Sequence, residues 1–162
     1  MNRFLLLLTT YCLLFIILGC TYTPRLILPT HIKKLTIPIF ANKTIRYGLE
    51  EKLTNAVIDE FISDGKFDVV PKNKADAKLI GEIIGFSEDP ISYNEQGEII
   101  EYEIWISINL SFYDIGTEKV LWEDKINRVT TYNPIDTSFE EAVTSLLETL
   151  AKDVVSRTIK GW

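Results

Sequence analysis

The sequence predicts an α+β domain, a two-layer sandwich in which a mainly antiparallel sheet of four to five strands carries two helices on one face. Three observations carry this expectation. In EYEIWISINLSFYD (101–114), Ile104, Ile106, Ile108, Leu110 and Phe112 alternate with Trp105, Ser107, Asn109, Ser111 and Tyr113. That is the period of a strand with one covered and one wet face. Two other stretches switch to a three- and four-residue period, as amphipathic helices do. The order of the segments is strand, helix, four strands, helix, and both helices can cover the apolar side of the sheet.

The chain has 162 residues, a length that supports one domain. Residues 1–19 are set apart as a lipoprotein signal peptide. Arg3 supplies a short positive region, and FLLLLTTYCLLFIIL (4–18) an apolar run slightly short of the roughly 20 residues a membrane span needs. The run closes on Gly19-Cys20. Cleavage between Gly19 and Cys20 discards Cys12 and leaves one cysteine, so no intramolecular disulfide can form. An unpaired thiol is unusual in an oxidising compartment, unless it is covalently blocked. Ile17-Leu18-Gly19-Cys20 resembles a bacterial lipobox, which makes Cys20 the lipidation site, bearing diacylglycerol and palmitate-type chains. Several acyl chains, at about 0.8 kcal/mol per buried CH₂, anchor stably. Thr21, rather than Asp, after the cysteine points to the outer membrane.

Residues 20–31 read as a lipidated tether, with two prolines and no period, and 32–162 as the single domain. HIKKLTIPIFAN (31–42) reads as a strand that Pro38 places at an edge or an end. In 47–70, Leu49, Leu53, Ala56, Val57 and Phe61 trace the first helical stripe, and Gly65 is its stop signal. Phe67 to Val70 begins a second strand, and KNKADAK (72–78) is a polar connection. Leu79–Phe86 is a third strand, whose Gly81 and Gly85 imply close backbone approach or a bulge. DPISYNEQGEII (89–100) is a polar connection with a turn near Asn94–Gly97, leading into the long strand 101–114. DIGTEK (114–119) is a second hairpin turn, and 120–132 is its partner strand. Ser138-Phe139-Glu140-Glu141 has capping-box spacing, and Phe139, Ala142, Val143, Leu146, Leu147, Leu150 and Val154 continue as a helix to about 159.

The residues hold no catalytic constellation, so no enzyme and no cofactor are expected. His31 is the single histidine and sits at a strand start, where a structural role is the usual one. No G-x-S-x-G, P-loop or dinucleotide fingerprint occurs. The pairs Glu50-Glu51, Asp59-Glu60, Glu123-Asp124 and Glu140-Glu141 fall at polar positions and read as solvated faces, not a metal or acid–base site. The net charge is -6, and losing Arg3 makes the mature chain more acidic still, which argues against nucleic acid. The basic clusters are Lys33-Lys34 and Lys72, Lys74, Lys78, which read as surface lysines. The wet face of the sheet, with Trp105 and Tyr113 among small polar residues, is more aromatic than idle surface and points to a partner.

A lipid-anchored domain of this kind implies binding or assembly work. The ordered set Gly19-Cys20-Thr21-Tyr22, LPTHIKKLTIPIFANKT, YGLEEKLTNAVIDEFISDGKFDVV, ADAKLIGEI, PISYNEQGEIIEYEIWISINLSFYD and GTEKVLWED resembles the lipopolysaccharide-assembly lipoprotein family, LptE, over about residues 20–160. The resemblance implies an outer-membrane lipoprotein, with its domain on the periplasmic side, that plugs and helps assemble the large LptD β-barrel. The pair would insert lipopolysaccharide in the outer leaflet without covalent chemistry. The family's basic loop residues, linked to lipopolysaccharide phosphates, have no counterpart here. The loop Asn94–Glu98 is acidic, and Asn133–Asp136 has no Lys or Arg. Lys119 and Arg128 are the nearest basic residues and stand as the candidate ligand contacts. KKLTIPIFANKT also resembles the opening strand of lipoproteins that regulate peptidoglycan synthases or build secretion pores, which is the alternative reading.

Overall fold

The computed structural model describes residues 30–160. The signal segment 1–19, Cys20 and the tether up to residue 29 lie outside the described residues. In chain order the elements are β1 (Lys34–Thr36), β2 (Ala41–Asn42), α1 (Leu49–Asp64), β3 (Asp68–Val69), a 3₁₀ turn (Lys72–Lys74), β4 (Ala77–Tyr93), β5 (Ile99–Asp114), β6 (Lys119–Tyr132) and α2 (Phe139–Lys160).

The α+β class and the two helices are as expected, but the sheet is not. It is mixed and six-stranded, in the order β3-β1-β4-β5-β6, with β2 also paired to β4. β1 runs parallel to both β3 and β4, and β2 parallel to β4. Only β4, β5 and β6 form the antiparallel meander. The physical reasons lie in the first third of the chain. Pro38 has no N–H to give a ladder, and the single strand expected over 31–42 breaks into β1 and β2 around it. The helix after them is a crossover that returns the chain to the starting edge, so the next strand enters parallel.

β4 is also longer than the expected 79–86. Register shifts between Ile83 and Gly85, and between Pro90 and Ser92, let it bend and stay paired with β5 as far as Tyr93↔Ile99. β2 reaches β4 only at Glu82 and Ile83. Pro90 therefore sits where the other edge of β4 carries no strand among the described residues, a position that tolerates its missing donor.

Both helices cover one face. Leu79, Ile83, Ile104, Ile106, Ile108 and Phe112 from the sheet are fully buried, against Leu53, Val57 and Phe61 of α1 and Leu147, Leu150 and Val154 of α2. Each such side chain contributes roughly 1.5–3 kcal/mol on burial. Phe61, Phe67, Phe112 and Trp122 run through this layer ring to ring, at 6.0, 6.3 and 5.7 Å. Gly65, at φ 72°, ends α1 by donating its N–H to the Phe61 carbonyl. At the start of α2 the capping box forms. Glu141 Oε2 accepts the Ser138 N–H at 2.9 Å, and Ser138 Oγ accepts the Glu141 N–H at 3.3 Å.

Candidate partner-binding surface

The face of the sheet away from the helices has no layer over it among the described residues. Register places Trp105 beside Ser87 and Val129, Ser111 beside Ile80 and Glu123, and Asn109 beside Glu82 and Lys125 on this side. Its aromatics are not free-standing. The Trp105 ring lies over Gly85, at the place where a Cβ would meet it at 2.4 Å. Ser107, next to both, is fully buried, and its hydroxyl has no hydrogen-bond partner among the described residues. Lys78 lies 5.5 Å from the Tyr113 ring centroid, a cation–π contact at the other end of this face. Between these two aromatics runs a shallow groove of about 600 Å³, lined by Ile80, Glu82, Asn109, Ser111, Glu123 and Lys125. Half-buried aromatics flanking a polar groove suit a partner surface that is itself polar and wet.

One end of the molecule gathers a different surface. The β4–β5 turn, the β2–α1 loop and the β6–α2 connection all lie at the end where β4 finishes and α2 begins. They expose Ile45 (93%), Tyr47 (90%), Ile135 (81%), Tyr93 (56%) and Ile91 (47%). Behind these residues the loops are built rigidly. Asn94 Oδ1 accepts the Gln96 and Glu98 N–H groups at 3.0 and 2.8 Å, and Gly97 takes the left-handed φ of 82° that the turn needs. Arg46 stacks 4.1 Å over the Phe139 ring and reaches Glu140, which also pairs with Lys52, so the β2–α1 loop is tied to the start of α2. Tyr132 stacks on Tyr102 at 5.5 Å and donates to Glu88 at 2.5 Å. Burial first, and then the bond to Glu88, push the Tyr132 phenol up to about 12.

The candidate ligand contacts are not brought together. Lys119 is exposed at the first residue of β6, opposite Asp114. Arg128 lies nine residues further along, roughly 30 Å by strand rise. Its Nε sits 2.6 Å from Asp153 of α2, so its charge is already met on the helix side. Three of the four acidic pairs have members with structural occupations, and Asp59-Glu60 stays on the solvent side of α1. Glu50 accepts from Asn42, Asp124 pairs with Arg157, Glu140 pairs with Lys52, and Glu141 caps α2. In each of Asp124 and Glu140 the hydrogen bond from its cationic partner holds the carboxyl below its ordinary range. His31 reaches the nearly fully buried Asp114 at 3.1 Å. Among the described residues no cluster of His, Cys, Asp or Glu could hold a metal ion, and no helix is long and apolar enough to cross a membrane.

Two features of this surface were only half legible in the sequence. Gly81 and Gly85 signalled close approach but not by what. The structure shows Phe40 lying on Gly81 on the core side, and Trp105 on Gly85 on the open side. The exposed aliphatic end gave no periodic signal, because its residues come from three separate loops.

Comparison with known proteins places the domain. The fold resembles a Xanthomonas campestris protein of the DUF330 family, at 14% identity and TM-score 0.62, covering 81% of this chain and 88% of that one. It also resembles a point variant of PelC from Paraburkholderia phytofirmans, solved as a dodecamer, at 16% identity and TM-score 0.55 over 76% and 86% of the two chains. A minor lipoprotein from Acinetobacter baumannii is similar at 12% identity and TM-score 0.50, over 80% and 92%. At these identities the likeness is one of fold. No curated protein matches the chain. The family model for lipopolysaccharide-assembly, LptE, matches residues 32–158, which is all but the margins of the described domain. With a helix-covered mixed sheet, an open face and an aliphatic loop end, the chain belongs to the LptE family of lipopolysaccharide-assembly lipoproteins.

Proposed function

We propose that this protein is an outer-membrane lipoprotein, anchored through Cys20, that plugs and helps assemble an LptD-type β-barrel and so aids lipopolysaccharide insertion into the outer leaflet. It works by binding and shape, without turnover. The observation that carries this reading is the family match over residues 32–158, on a domain whose sheet face and loop end stay uncovered. A wide outer-membrane barrel has a polar lumen. A rigid domain with a polar, aromatic-flanked sheet face suits such a wall. The exposed Ile45, Tyr47 and Ile135 supply the apolar anchors a stable interface needs near its centre. Net acidity and the pairing of Arg128 with Asp153 turn the emphasis from lipopolysaccharide phosphate to the barrel.

The test is a mild-detergent capture of the tagged protein from its own envelope. Wild type is expected to bring down a large barrel at near one-to-one ratio. Ile45→Glu with Ile135→Glu is expected to lose the barrel while keeping the wild-type circular dichroism spectrum. Recovery of a peptidoglycan synthase, or of a homo-oligomer alone, would favour the regulator or pore-subunit reading instead. Cys20→Ala is expected to leave the protein outside the outer-membrane fraction when the barrel is absent.

A further inference from the structure

Among the described residues the sheet has one long bare edge. Its order ends at β3 on one side and β6 on the other, and β2 and β3 are two residues each. The free reach of β4 carries Pro90 and register shifts, features that discourage a further strand from adding. β6 has neither Pro nor Gly over Lys119–Tyr132, and from Trp122 onward it pairs with β5 without a shift. No backbone bond joins it to anything but β5 among the described residues.

The ladder fixes which β6 groups point outward. Ile83 gives its carbonyl to the Lys43 N–H at 2.9 Å, on the side away from β5. Ile108, opposite Ile83, therefore turns its backbone groups to β6, and Ile126, opposite Ile108, turns back to β5. Glu123, Lys125, Asn127, Val129 and Thr131 then face the bare edge with their N–H and C=O groups. Two of these groups hold substitutes for a strand. Lys125 donates its N–H to Asp124 Oδ1 at 2.8 Å, and the Asn127 carbonyl accepts from Arg128 Nη1 at 3.0 Å. An antiparallel copy centred on Ile126 would give each of them the other, with the Lys125 N–H donating to the Asn127 carbonyl across the join.

We infer that the outer edge of β6 is a self-association surface, on which a second copy of this chain adds its own β6 antiparallel about a two-fold axis at Ile126. The register sets Lys125 against Asn127, Glu123 against Val129 and Asp124 against Arg128, each twice, and Ile126 against itself. Asp124 is already bonded to Arg157 and Arg128 to Asp153, at 2.6 Å each. The join therefore strings Arg157, Asp124, Arg128 and Asp153 together with alternating sign, the first two from one copy and the last two from the other. Inward-pointing charges usually guard an edge. Here they are of opposite sign and symmetric about Ile126, so they resist a strand of uniform charge and suit a copy. Lys125 lies diagonal to its own copy, and Glu123, on the same face of the strand, offsets that repulsion. The axis is normal to the sheet, so it sets both Thr30 residues at one height, as two anchors in one leaflet need. In the proposed function one copy fills one barrel, so the pairing belongs to chains that have no barrel yet.

The test uses the full lipidated chain in mild detergent, without a barrel. The interface is small, so a monomer–dimer equilibrium in the range of about 10–100 µM is expected by sedimentation. Asn127→Pro removes an outward N–H and costs β6 no bond to β5, and Arg128→Asp sets carboxylate against carboxylate across the axis. Each is expected to weaken the dimer at least about tenfold, with the circular dichroism spectrum unchanged. The register is read by disulfide formation between variants. Glu123→Cys mixed with Val129→Cys is expected to cross-link, because opposed residues lie about 5.5 Å apart, while neither variant alone should. Peptide mapping reads which cysteines are joined, so Cys20 does not confuse the result. A chain that stays monomeric up to about 300 µM, a dimer that survives Asn127→Pro, or cross-linking as fast within one variant as between the two, overturns the β6 pairing. No barrel is present, so none of these outcomes depends on whether the barrel partner is right.

Discussion

Replacing Gly81 by alanine should be far more costly than replacing Gly85, although a Cβ would strike an aromatic ring at both. At Gly81 the new atom would stand 2.5 Å from the nearest ring carbons of Phe40. Carbon atoms prefer about 3.5–4.0 Å, so the ring has to retreat by at least roughly 1 Å. Phe40 has nowhere to go. It is 2% exposed, and its N–H is held by Thr54 Oγ1 at 3.0 Å. Overpacking of this kind costs about 1–3 kcal/mol, and full expulsion of the ring approaches the roughly 3–5 kcal/mol of a Phe→Ala change. The lower chain entropy of alanine returns about 0.5–1 kcal/mol. The net expectation for Gly81→Ala is a loss of about 0.5–2 kcal/mol if the ring shifts, rising to about 2.5–4 kcal/mol if it is expelled. At Gly85 the obstacle is Trp105, at 2.4 Å, but on the open face and half-exposed. That ring can lift into solvent. The loss of part of its burial, about 1 kcal/mol, is nearly offset by the same entropy gain. Urea unfolding followed by far-ultraviolet circular dichroism measures both, and tryptophan fluorescence reports whether the indole has moved into water. If Gly85→Ala is as destabilising as Gly81→Ala, or its fluorescence stays unshifted, the idea that the open face yields where the core cannot is wrong.

Stability should also fall in acid, with a contribution from Asp114. Burial pushes its carboxyl up, but hydrogen bonds from the Thr117 side chain and backbone, His31 and the Gly116 N–H together outweigh it and hold it below its ordinary value. A carboxyl depressed in the folded state gives stability that is present above the unfolded range near about 3.9 and is lost as pH falls through the folded value. Urea midpoints from about pH 6 downward should therefore drop most steeply below about 4, and less steeply in Asp114→Asn. Parallel curves for the two proteins would show that Asp114 does not contribute. Separately, Ser138→Ala removes one half of the α2 capping box and should cost about 1 kcal/mol, while Ser138→Asp should retain most of it; equal losses in the two would count against the cap.

Periodicity determined much of this protein from sequence alone. The alternation in 101–114 announced β5 and which side of it is buried, and the stripes through Leu53 and Leu150 announced both helices. Ser138 to Glu141 marked the start of α2 to within a residue, because a cap is chemistry between near neighbours in the chain. The absence of a catalytic motif pointed to binding, and the ordered segments pointed to the LptE family. Strand direction was different. Leu35 lies beside both Val69 and Ala77 in parallel, and nothing local to 34–36 encodes that pairing. It follows from a helix crossing back over the sheet, which is a relation between distant segments. The same holds for the surfaces. Gly85 accepts Trp105 from another strand, Arg128 is met by Asp153 of a helix 25 residues on, and β6 is left at the outer edge of the sheet. Side-chain period is a property of one element and can be read along the chain. Which elements share an edge, and which charges are already answered there, is decided only when the sheet closes its register in three dimensions.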